Sequence, residues 1–226
     1  MIHIVGAGSG AVDLITVRGD RLLRDADVVV WAGSLVNPAL LELCKPECEI
    51  HDSAKMTLEE VMDVMLAADA EGKDVVRLHT GDPSIYGAIR EQMDLLAKND
   101  VPFEVVPGVS SFCGGAAALN AELTLPGVSQ SVIITRLEGR TPMPEGEKMP
   151  MLASHGATMV IFLSAGMLDK LQAQLMEGGY DADTPAAIVY KATWPDERVI
   201  RCTVGTLAQA GAENGIKLTA LVYVGG

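Results

Sequence analysis

Residues 2–34, IHIVGAGSGAVDLITVRGDRLLRDADVVVWAGS, indicate the fold class of the N-terminal half. The apolar run IHIV predicts a first strand, which leads directly into a glycine-containing turn. Thr16 has the character of a helix N-cap for VRGDRLLRDA, and DVVVWA then predicts a second strand. A strand, a helix and a second strand in this order are typical of a parallel α/β unit.

The turn after the first strand has the spacing of a dinucleotide-binding loop. Gly6, Gly8 and Ala11 fit the pattern G-x-G-x-x-G/A. In a nicotinamide-binding unit the helix would begin at the third of these positions, whereas here we expect it only after Thr16. The second strand would also end in an Asp or Glu for the ribose, but it ends in Trp31 followed by AGS. We therefore interpret the turn as one that places its backbone against a small ligand. A nicotinamide-dependent oxidoreductase is the alternative hypothesis.

The alternation of strands and helices continues to about residue 120. We expect further strands at DVVRLH and FEVV, and helices near residues 38–43, 58–71 and 86–98. Beyond them, the runs SVIIT, TMVIFLS, AAIVYKA, ERVIRCTV and KLTALVYVGG predict strands with fewer helices between them, so the second sheet is expected to be mixed and partly antiparallel. A long loop, RLEGRTPMPEGEKMP, lies near its start. The sequence predicts two α/β domains, residues 1–120 and 121–226.

The composition argues against several classes of protein. A chain of 226 residues with 49% hydrophobic content can bury one large or two modest cores. A net charge of -13 argues against a nucleic-acid partner, which requires clustered Lys and Arg. We find no apolar run long enough to span a bilayer and no secretion signal, so we expect no membrane partner and a cytoplasmic location. Cys44 and Cys48 lack a second pair or a histidine at metal-ligand spacing, so we expect free thiols and no metal site.

Two more loops at strand ends are candidate ligand sites. LHTGDPSIYG, residues 78–87, turns through Thr80, Gly81 and Asp82; VPGVSSFCGGAAALN, residues 106–120, has Ser110 or Ser111 at a helix start. Open α/β sheets bind ligands at the carboxyl ends of their strands. Both loops also have a structural interpretation, because G-D-P is a common tight turn and small residues let a helix pack closely on a sheet.

Six segments resemble, in this order, the motifs of the tetrapyrrole methylases: VGAGSGAVDLIT, HTGDPSIYGAIREQM, VPGVSSF, ELTLP, SVIITRLEGRTP and YKATWPDE. The resemblance covers nearly the whole chain. The G-D-P and P-G-V-S loops are shared by the wider family, whereas TRLEGRTP and ATWPDE are similar to the precorrin-4 C11-methyltransferases of cobalamin biosynthesis. The first loop departs from the usual GAGPGDPDLLT form at Ser9, Ala11 and Val12.

The resemblance implies a fold, a reaction and an assembly. It implies two α/β domains with the active-site cleft between them, and a homodimer. S-adenosyl-L-methionine is the implied methyl donor, with S-adenosyl-L-homocysteine as product, and C11 of precorrin-4 or of its cobalt form is the implied acceptor. Another ring position of a precorrin, or of uroporphyrinogen III, is the alternative acceptor, and a non-catalytic tetrapyrrole carrier is a third hypothesis.

We assign the implied binding residues by matching positions in the family motifs to positions in this sequence. The implied donor-binding residues are Ser9, Thr80, Gly81, Asp82, Ile85, Ser110, Ser111, Leu163 and Ala192. A precorrin bears many carboxylates, which an acidic protein would repel unless cations were concentrated at the site. The cations in the subgroup-like segments are therefore our candidates for acceptor binding: Arg136, Arg140, Lys191 and Arg198.

Methyl transfer from a sulfonium to an enamine-like carbon requires an in-line approach more than an acid or a base. Positioning of this kind supplies about 7–11 kcal/mol. We therefore assign no catalytic residue. Of the four histidines, His79 alone lies beside a candidate loop, where it is a candidate for steering a proton or a propionate.

The donor hypothesis predicts selective stabilisation by S-adenosylhomocysteine. A ligand at 100 times its dissociation constant stabilises a protein by about 2.7 kcal/mol. In a thermal-shift measurement, S-adenosylhomocysteine is expected to raise the melting temperature and NAD to leave it unchanged. The opposite pattern would favour the oxidoreductase.

Overall fold

The computed structural model describes residues 1–139 and 141–225. The chain divides into two compact units, one from Met1 to Cys113 and the other beginning at Gly114. Unit one thus ends a few residues before the domain boundary expected from the sequence. Within the described residues, no helix combines the length and the apolar character needed to cross a membrane.

Unit one is built on a parallel sheet. Its elements are β1 (Ile2–Gly6), α1 (Val17–Asp25), β2 (Val28–Trp31), β3 (Glu49–Asp52), α2 (Leu58–Ala70), β4 (Val75–His79), α3 (Arg90–Lys98), β5 (Phe103–Val106) and α4 (Ser111–Leu119), whose last part continues into unit two. The strands of this described part pair in the order β3-β2-β4-β1-β5, all parallel. The expected α/β class is confirmed.

Both faces of this sheet are covered, which explains why its strands are apolar throughout. On one face Val5, Val29 and Leu78 pack with Leu23 of α1. On the other face the strands pack against α2 and α3, in a cluster that includes Met65. β1 leads towards one side of the sheet and β4, its neighbour, leads towards the other. The carboxyl ends of β1 and β4 therefore form the switch point at which such sheets bind ligands.

Most of the expected elements of unit one are observed. Thr16 caps α1 by accepting a hydrogen bond from the backbone N–H of Gly19. Residues 38–43 form a 3-10 helix, and β3 lies on the sheet edge where we had expected no strand. The helix expected from residue 86 begins only at Arg90, because Tyr86 and Ala88 have positive φ angles of 56° and 50° that no α-helix contains.

Unit two contains a mixed sheet, as expected. Its elements are β6 (Val132–Arg136), α5 (Met149–Ala153), β7 (Thr158–Phe162), α6 (Leu168–Glu177), β8 (Pro185–Tyr190), β9 (Arg198–Thr203), α7 (Leu207–Glu213) and β10 (Ala220–Val224). In the described residues the strand order is β6-β7-β10-β8-β9. β6 and β7 are parallel, whereas β10 is antiparallel to β7 and β8, and β9 is antiparallel to β8. β6, β7 and β8 therefore all end at the same sheet edge.

The core of unit two lies between this sheet and the helices α5, α6 and α7. Ile161, Ile188 and Val222 of the central strands are fully buried against Leu171 and Leu175 of α6. α5, α6 and α7 follow β6, β7 and β9, so this half has more helical cover than its strand-rich sequence suggested.

Gly115 of α4 is explained by close packing within unit two. Gly114 and Gly115 are buried, and a Cβ atom at Gly115 would lie 2.1 Å from the hydroxyl oxygen of Tyr223 in β10. An ordinary side chain at residue 115 therefore has no space. This contact supports the structural interpretation of the small residues in this helix over ligand contact.

Replacement of Gly115 by Ala is expected to destabilise the protein. The added methyl group must displace a buried tyrosine, and overpacking of this kind costs about 1–3 kcal/mol. Urea unfolding measures the difference in the free energy of unfolding. Gly146→Ala is the matched control because a Cβ atom there meets no atom within 4 Å. Equal stability of the two variants would contradict the packing argument.

Candidate functional site

The carboxyl edge of the unit-one sheet is formed by backbone rather than by side chains. A Cβ atom at Gly6 would lie 2.6 Å from Gly108 Cα and from the Gly81 carbonyl oxygen. A Cβ atom at Gly108 would lie 2.2 Å from that same oxygen. The loops after β1, β4 and β5 therefore touch through Gly6, Gly108 and the Gly81 carbonyl, and a side chain at Gly6 or Gly108 would force them apart.

Hydrogen bonds join the first of these loops to the second. The Gly81 N–H donates to the Gly8 carbonyl at 2.8 Å, and the Ala7 N–H donates to the His79 carbonyl at 2.7 Å. Gly81 has a φ of +60°, and a Cβ atom there would lie 3.3 Å from the Ser111 backbone nitrogen. The backbone of the G-D-P loop thus lies against the start of α4.

Asp82 joins the G-D-P loop to the loop after β5. Its carboxylate accepts hydrogen bonds from the N–H of Gly108 at 2.9 Å and from the N–H and hydroxyl of Ser84. Partial burial alone would raise the pKa of Asp82, but the hydrogen bonds, that of the Ser84 hydroxyl first, outweigh it and hold the pKa below its ordinary value. Asp82 is therefore a carboxylate that fixes the relative position of two loops.

The corresponding edge of unit two presents an apolar side chain on a strained backbone. Leu163 follows β7 with a φ of 53°, and it is 65% exposed. The next residue, Ser164, is fully buried; its hydroxyl accepts a hydrogen bond from the Leu137 N–H and donates to the Phe162 carbonyl. Left-handed backbone costs a branched residue roughly 1–2 kcal/mol. Backbone strain of this kind is concentrated at functional positions, so Leu163 stays a candidate for ligand contact.

The connection between β8 and β9 is strained in the same way. Lys191 and Thr193 have φ angles of 47° and 67° on either side of the buried Ala192. The Lys191 ammonium lies 2.7 Å from a carboxylate oxygen of Asp196, within 5.3 Å of the Trp194 ring centroid. We call residues 190–198 the cation hairpin.

The second cation of this hairpin is also held in place. The guanidinium of Arg198 lies 4.6 Å from the Tyr190 ring centroid, and it donates a hydrogen bond to the Asn214 carbonyl at 3.0 Å. Lys191 contacts the same ring at 5.4 Å. Cation–π contacts therefore restrict both side chains before any ligand binds, together with an ion pair for Lys191 and a hydrogen bond to a carbonyl for Arg198.

Of the two arginines of TRLEGRTP, the structure describes only Arg136. Arg136, the last residue of β6, donates hydrogen bonds to the carbonyls of Leu137, Thr141 and Pro142 at 3.2–3.4 Å. It therefore organises the loop that follows it. Arg140 lies outside the described residues.

The sequence matches the family model of the Tetrapyrrole (Corrin/Porphyrin) Methylases over residues 1–208. The chain belongs to this family. Among curated relatives, the Cobalt-precorrin-4 C(11)-methyltransferase of Methanocaldococcus jannaschii is 56% identical over 99% of this chain and 86% of the relative. The Precorrin-4 C(11)-methyltransferase of Sinorhizobium sp is 46% identical over 99% of this chain and 88% of the relative.

Solved structures agree with this assignment. The X-ray structure of a cobalamin biosynthetic enzyme, cobalt precorrin-4 methyltransferase, has a TM-score of 0.97 at 50% identity, covering 99% of this chain and 94% of that one. The uroporphyrin-III C-methyl transferase from Thermus thermophilus, complexed with S-adenosyl homocysteine, has a TM-score of 0.82 at 27% identity, covering 99% and 91%. Tetrapyrrole methylases use S-adenosylmethionine as methyl donor.

The structure places the predicted methylase residues along the carboxyl edges of the two sheets. Within unit one, these are Ser9, Thr80, Gly81, Asp82, Ile85, Ser110 and Ser111. Within unit two, they are Arg136, Leu163, Lys191, Ala192 and Arg198, which lie at or next to the ends of β6, β7 and β8 or the start of β9. Their binding roles stay predictions. In the described part of the chain, no group of three or more His, Cys, Asp or Glu side chains is suited to a metal ion.

Sequence reasoning missed several residues that shape these edges. Gly108 and Ser164 make contacts between loops that are distant in sequence, and only the Pro-Gly and Leu-Ser turns hinted at them. The glycine turn after β1 also lacks a phosphate-binding helix. α1 begins at Val17, well after the turn, and its Thr16 cap already occupies an N-terminal N–H. These observations argue against the dinucleotide hypothesis.

Replacement of Asp82 by Ala is expected to affect both binding and stability. The sequence alone predicts weaker donor binding without unfolding; the structure adds a stability cost of about 1–3 kcal/mol, because three donors lose their acceptor. Calorimetry with S-adenosylhomocysteine and urea unfolding measure the two effects. Asp94→Ala, which removes an exposed carboxylate of α3, is the control. An unchanged dissociation constant in the Asp82 variant would remove Asp82 from the donor site.

The stability contribution of Asp82 is expected to depend on pH. Because the folded-state pKa is lowered, the contribution is present above the unfolded-state value of about 4. It is lost as the pH falls through the lower folded-state value. The difference in unfolding free energy between the parent and Asp82→Ala should therefore shrink in acid, and a constant difference down to full protonation would contradict this role.

Proposed function

We propose that this protein transfers the methyl group of S-adenosylmethionine to C11 of precorrin-4 or cobalt-precorrin-4 in cobalamin biosynthesis. The observation that carries the proposal is the 56% identity to a cobalt-precorrin-4 C(11)-methyltransferase along 99% of the chain. The uroporphyrin methyl transferase structures are more distant, at 27–31% identity. We therefore favour C11 over another ring position.

The carboxyl edge of unit one has the surface that an adenosine and an amino-acid chain require. The three contacting glycines keep side chains away from the strand ends, and Gly81 presents bare backbone next to Ser110 and Ser111. Backbone amides and serine hydroxyls suit the ribose and the purine edge. Thr80, Gly81 and Ser111 would hold the donor, and Asp82 would keep their loops in register.

The donor supplies an activated methyl group on a sulfonium, and the protein orients the donor and the acceptor relative to each other. Leu163 offers an apolar surface that excludes water and has no proton to exchange. Asp82 is committed to loop contacts, and we assign the chain no acid or base for the transfer itself. Orientation of both partners supplies about 7–11 kcal/mol, which is enough to account for much of a rate enhancement.

The cation hairpin is our proposed contact for the acceptor carboxylates. Lys191 and Arg198 are restrained by aromatic rings, so a carboxylate would meet cations that have already lost part of their freedom. Asp196 pairs with Lys191 in the free protein and neutralises it. An acceptor carboxylate would therefore compete with Asp196 for this ammonium. Arg136 and Arg140 belong to the same proposal.

We further propose a homodimer located in the cytoplasm. The family resemblance supports the dimer, and the free state of Cys44, Cys48, Cys113 and Cys202 fits a reducing compartment. Light scattering coupled to size-exclusion chromatography tests the dimer.

Product analysis tests the proposed reaction. The protein is incubated with S-adenosylmethionine and precorrin-4 or its cobalt form, and mass spectrometry and NMR locate the new methyl group. A methyl group at C11 supports the proposal. A methyl group elsewhere would assign another ring position, and no transfer to either substrate would favour a carrier.

Replacement of Lys191 by Met is expected to weaken acceptor binding selectively. Lys191 would lose its contact with an acceptor carboxylate, so the Michaelis constant for the precorrin should rise about 2- to 5-fold, the range expected for an exposed ion pair. The dissociation constant of S-adenosylhomocysteine should not change. Because salt screens this attraction, the variant should also show a shallower dependence on salt than the parent.

The control for this prediction is Lys148→Met. Lys148 pairs with Glu145, outside the cation hairpin, and its loss should leave the Michaelis constant unchanged. Asp196→Asn should lower the Michaelis constant, because Lys191 then has no internal partner to give up. Parent-like kinetics in both Lys191→Met and Asp196→Asn would assign these charges to the solvated surface.

A further inference from the structure

Three polar side chains are buried together on the side of β4 that faces α3. Arg77, His79 and Gln92 are only 7%, 5% and 4% exposed. The Nε of Arg77 donates a hydrogen bond to Gln92 Oε1 at 3.1 Å, and Nη1 donates to the Val30 carbonyl at 3.2 Å. Apolar residues are the usual occupants of such positions, so this buried polar group requires a physical explanation.

Arg77 is a buried cation without a carboxylate partner among the described residues. Its two hydrogen-bond acceptors are the neutral side chain of Gln92 and a neutral carbonyl. Burial lowers the pKa of Arg77 to about 10, which still leaves the guanidinium charged at neutral pH. A buried charge that lacks a counter-ion is costly unless an anion arrives to balance it.

His79 is buried next to this charge, and its Nε2 has no hydrogen-bond partner within the described chain. Burial first, and then the charge of Arg77, lower the pKa of His79 to about 3. The imidazole is therefore neutral at physiological pH and carries one N–H. Buried polar atoms are nearly always paired, so a buried Nε2 with no partner among the described residues is a position where a bound molecule can accept a hydrogen bond.

The position of His79 indicates what kind of molecule this is. His79 is the last residue of β4, and its carbonyl accepts the Ala7 N–H at the switch point. Thr80 and Gly81, two of the proposed donor-binding residues, follow it directly. The positive charge of Arg77 would attract an anionic group to this place and repel a cationic one.

We infer that His79 is a ligand-binding residue that donates its Nε2–H to a carboxylate of a bound ligand, with Arg77 as the positioning residue that makes the surroundings positive. This inference rests on the proposed function, which provides two sources of carboxylate. One is the amino-acid carboxylate of the methyl donor, and the other is an acetate or propionate of the tetrapyrrole. The proposal requires the tautomer in which Nε2 carries the proton.

Two substitutions separate the hydrogen bond from the packing. His79→Leu removes the donor, whereas His79→Gln retains an N–H donor at nearly the same distance from the backbone. His51→Leu is the control, because His51 is paired with Glu49 on the edge strand β3. If the donor supplies the carboxylate, the dissociation constant of S-adenosylhomocysteine should rise about 10- to 100-fold in His79→Leu. His79→Gln and His51→Leu should stay close to the parent.

A truncated ligand distinguishes the two sources of carboxylate. 5′-Methylthioadenosine retains the adenosine and the sulfur but lacks the amino-acid carboxylate. If His79 binds the donor, this ligand should bind the parent and His79→Leu equally. If His79 binds the acceptor instead, S-adenosylhomocysteine should bind both proteins equally, and the Michaelis constant for the precorrin should rise in His79→Leu and recover in His79→Gln.

A measurement on the parent protein avoids any dependence on variant folding. The chain contains four histidines, so ¹⁵N-histidine NMR resolves few imidazole signals. The Nε2 resonance of His79, assigned by its loss in His79→Gln, should shift when S-adenosylhomocysteine or the tetrapyrrole is added. No shift with either ligand, together with parent-like binding and kinetics in His79→Leu, would overturn the inference and assign a buried water to Nε2. A parent that binds no S-adenosylhomocysteine would instead overturn the proposed function itself.

Discussion

The close contact of Gly6, Gly81 and Gly108 is the constraint on which the candidate site depends. Three loops that follow different strands of unit one meet through backbone atoms, at distances that leave no room for a Cβ atom at Gly6 or Gly108. Asp82 then joins two of these loops by accepting the Gly108 N–H. The bare backbone needed for an approaching ligand and the rigidity needed to orient it therefore have the same origin.

Unit two prepares its edge by a different physical means. Its strand ends carry side chains on left-handed backbone, at Leu163, Lys191 and Thr193. Surrounding contacts enforce these conformations. Examples are the hydrogen bonds of the buried Ser164 hydroxyl and the hydrogen bond from the Lys191 N–H to the Thr219 carbonyl. Strain of this kind persists where surrounding structure enforces it, and it is concentrated at functional positions. Part of the stability of the fold is therefore used to present one apolar side chain, Leu163, and one restrained cation, Lys191.

The charge distribution follows from the same organisation. A net charge of -13 would repel the polycarboxylate acceptor that we propose, so the few cations that we propose as its contacts matter more than their number suggests. Lys191 and Arg198 are paired with rings, with Asp196 or with a carbonyl, and Arg77 is buried with neutral acceptors. A ligand carboxylate would have to displace Asp196 from Lys191, but it would meet no carboxylate at Arg77 among the described residues.

The α/β class, the parallel first sheet, the mixed second sheet and the family can all be inferred from the sequence, because hydrophobic periodicity and motif spacing are local properties. It also predicted the loops after β1, β4 and β5 as candidate site loops, and this stays a prediction. The structure was needed to show that Asp82 accepts the Gly108 N–H, that Gly115 packs on Tyr223 and that α3 begins at Arg90. It was also needed to show that His79 Nε2 has no partner among the described residues. These features depend on contacts between residues distant in sequence, whose distances and burial exist only once the sheets have formed.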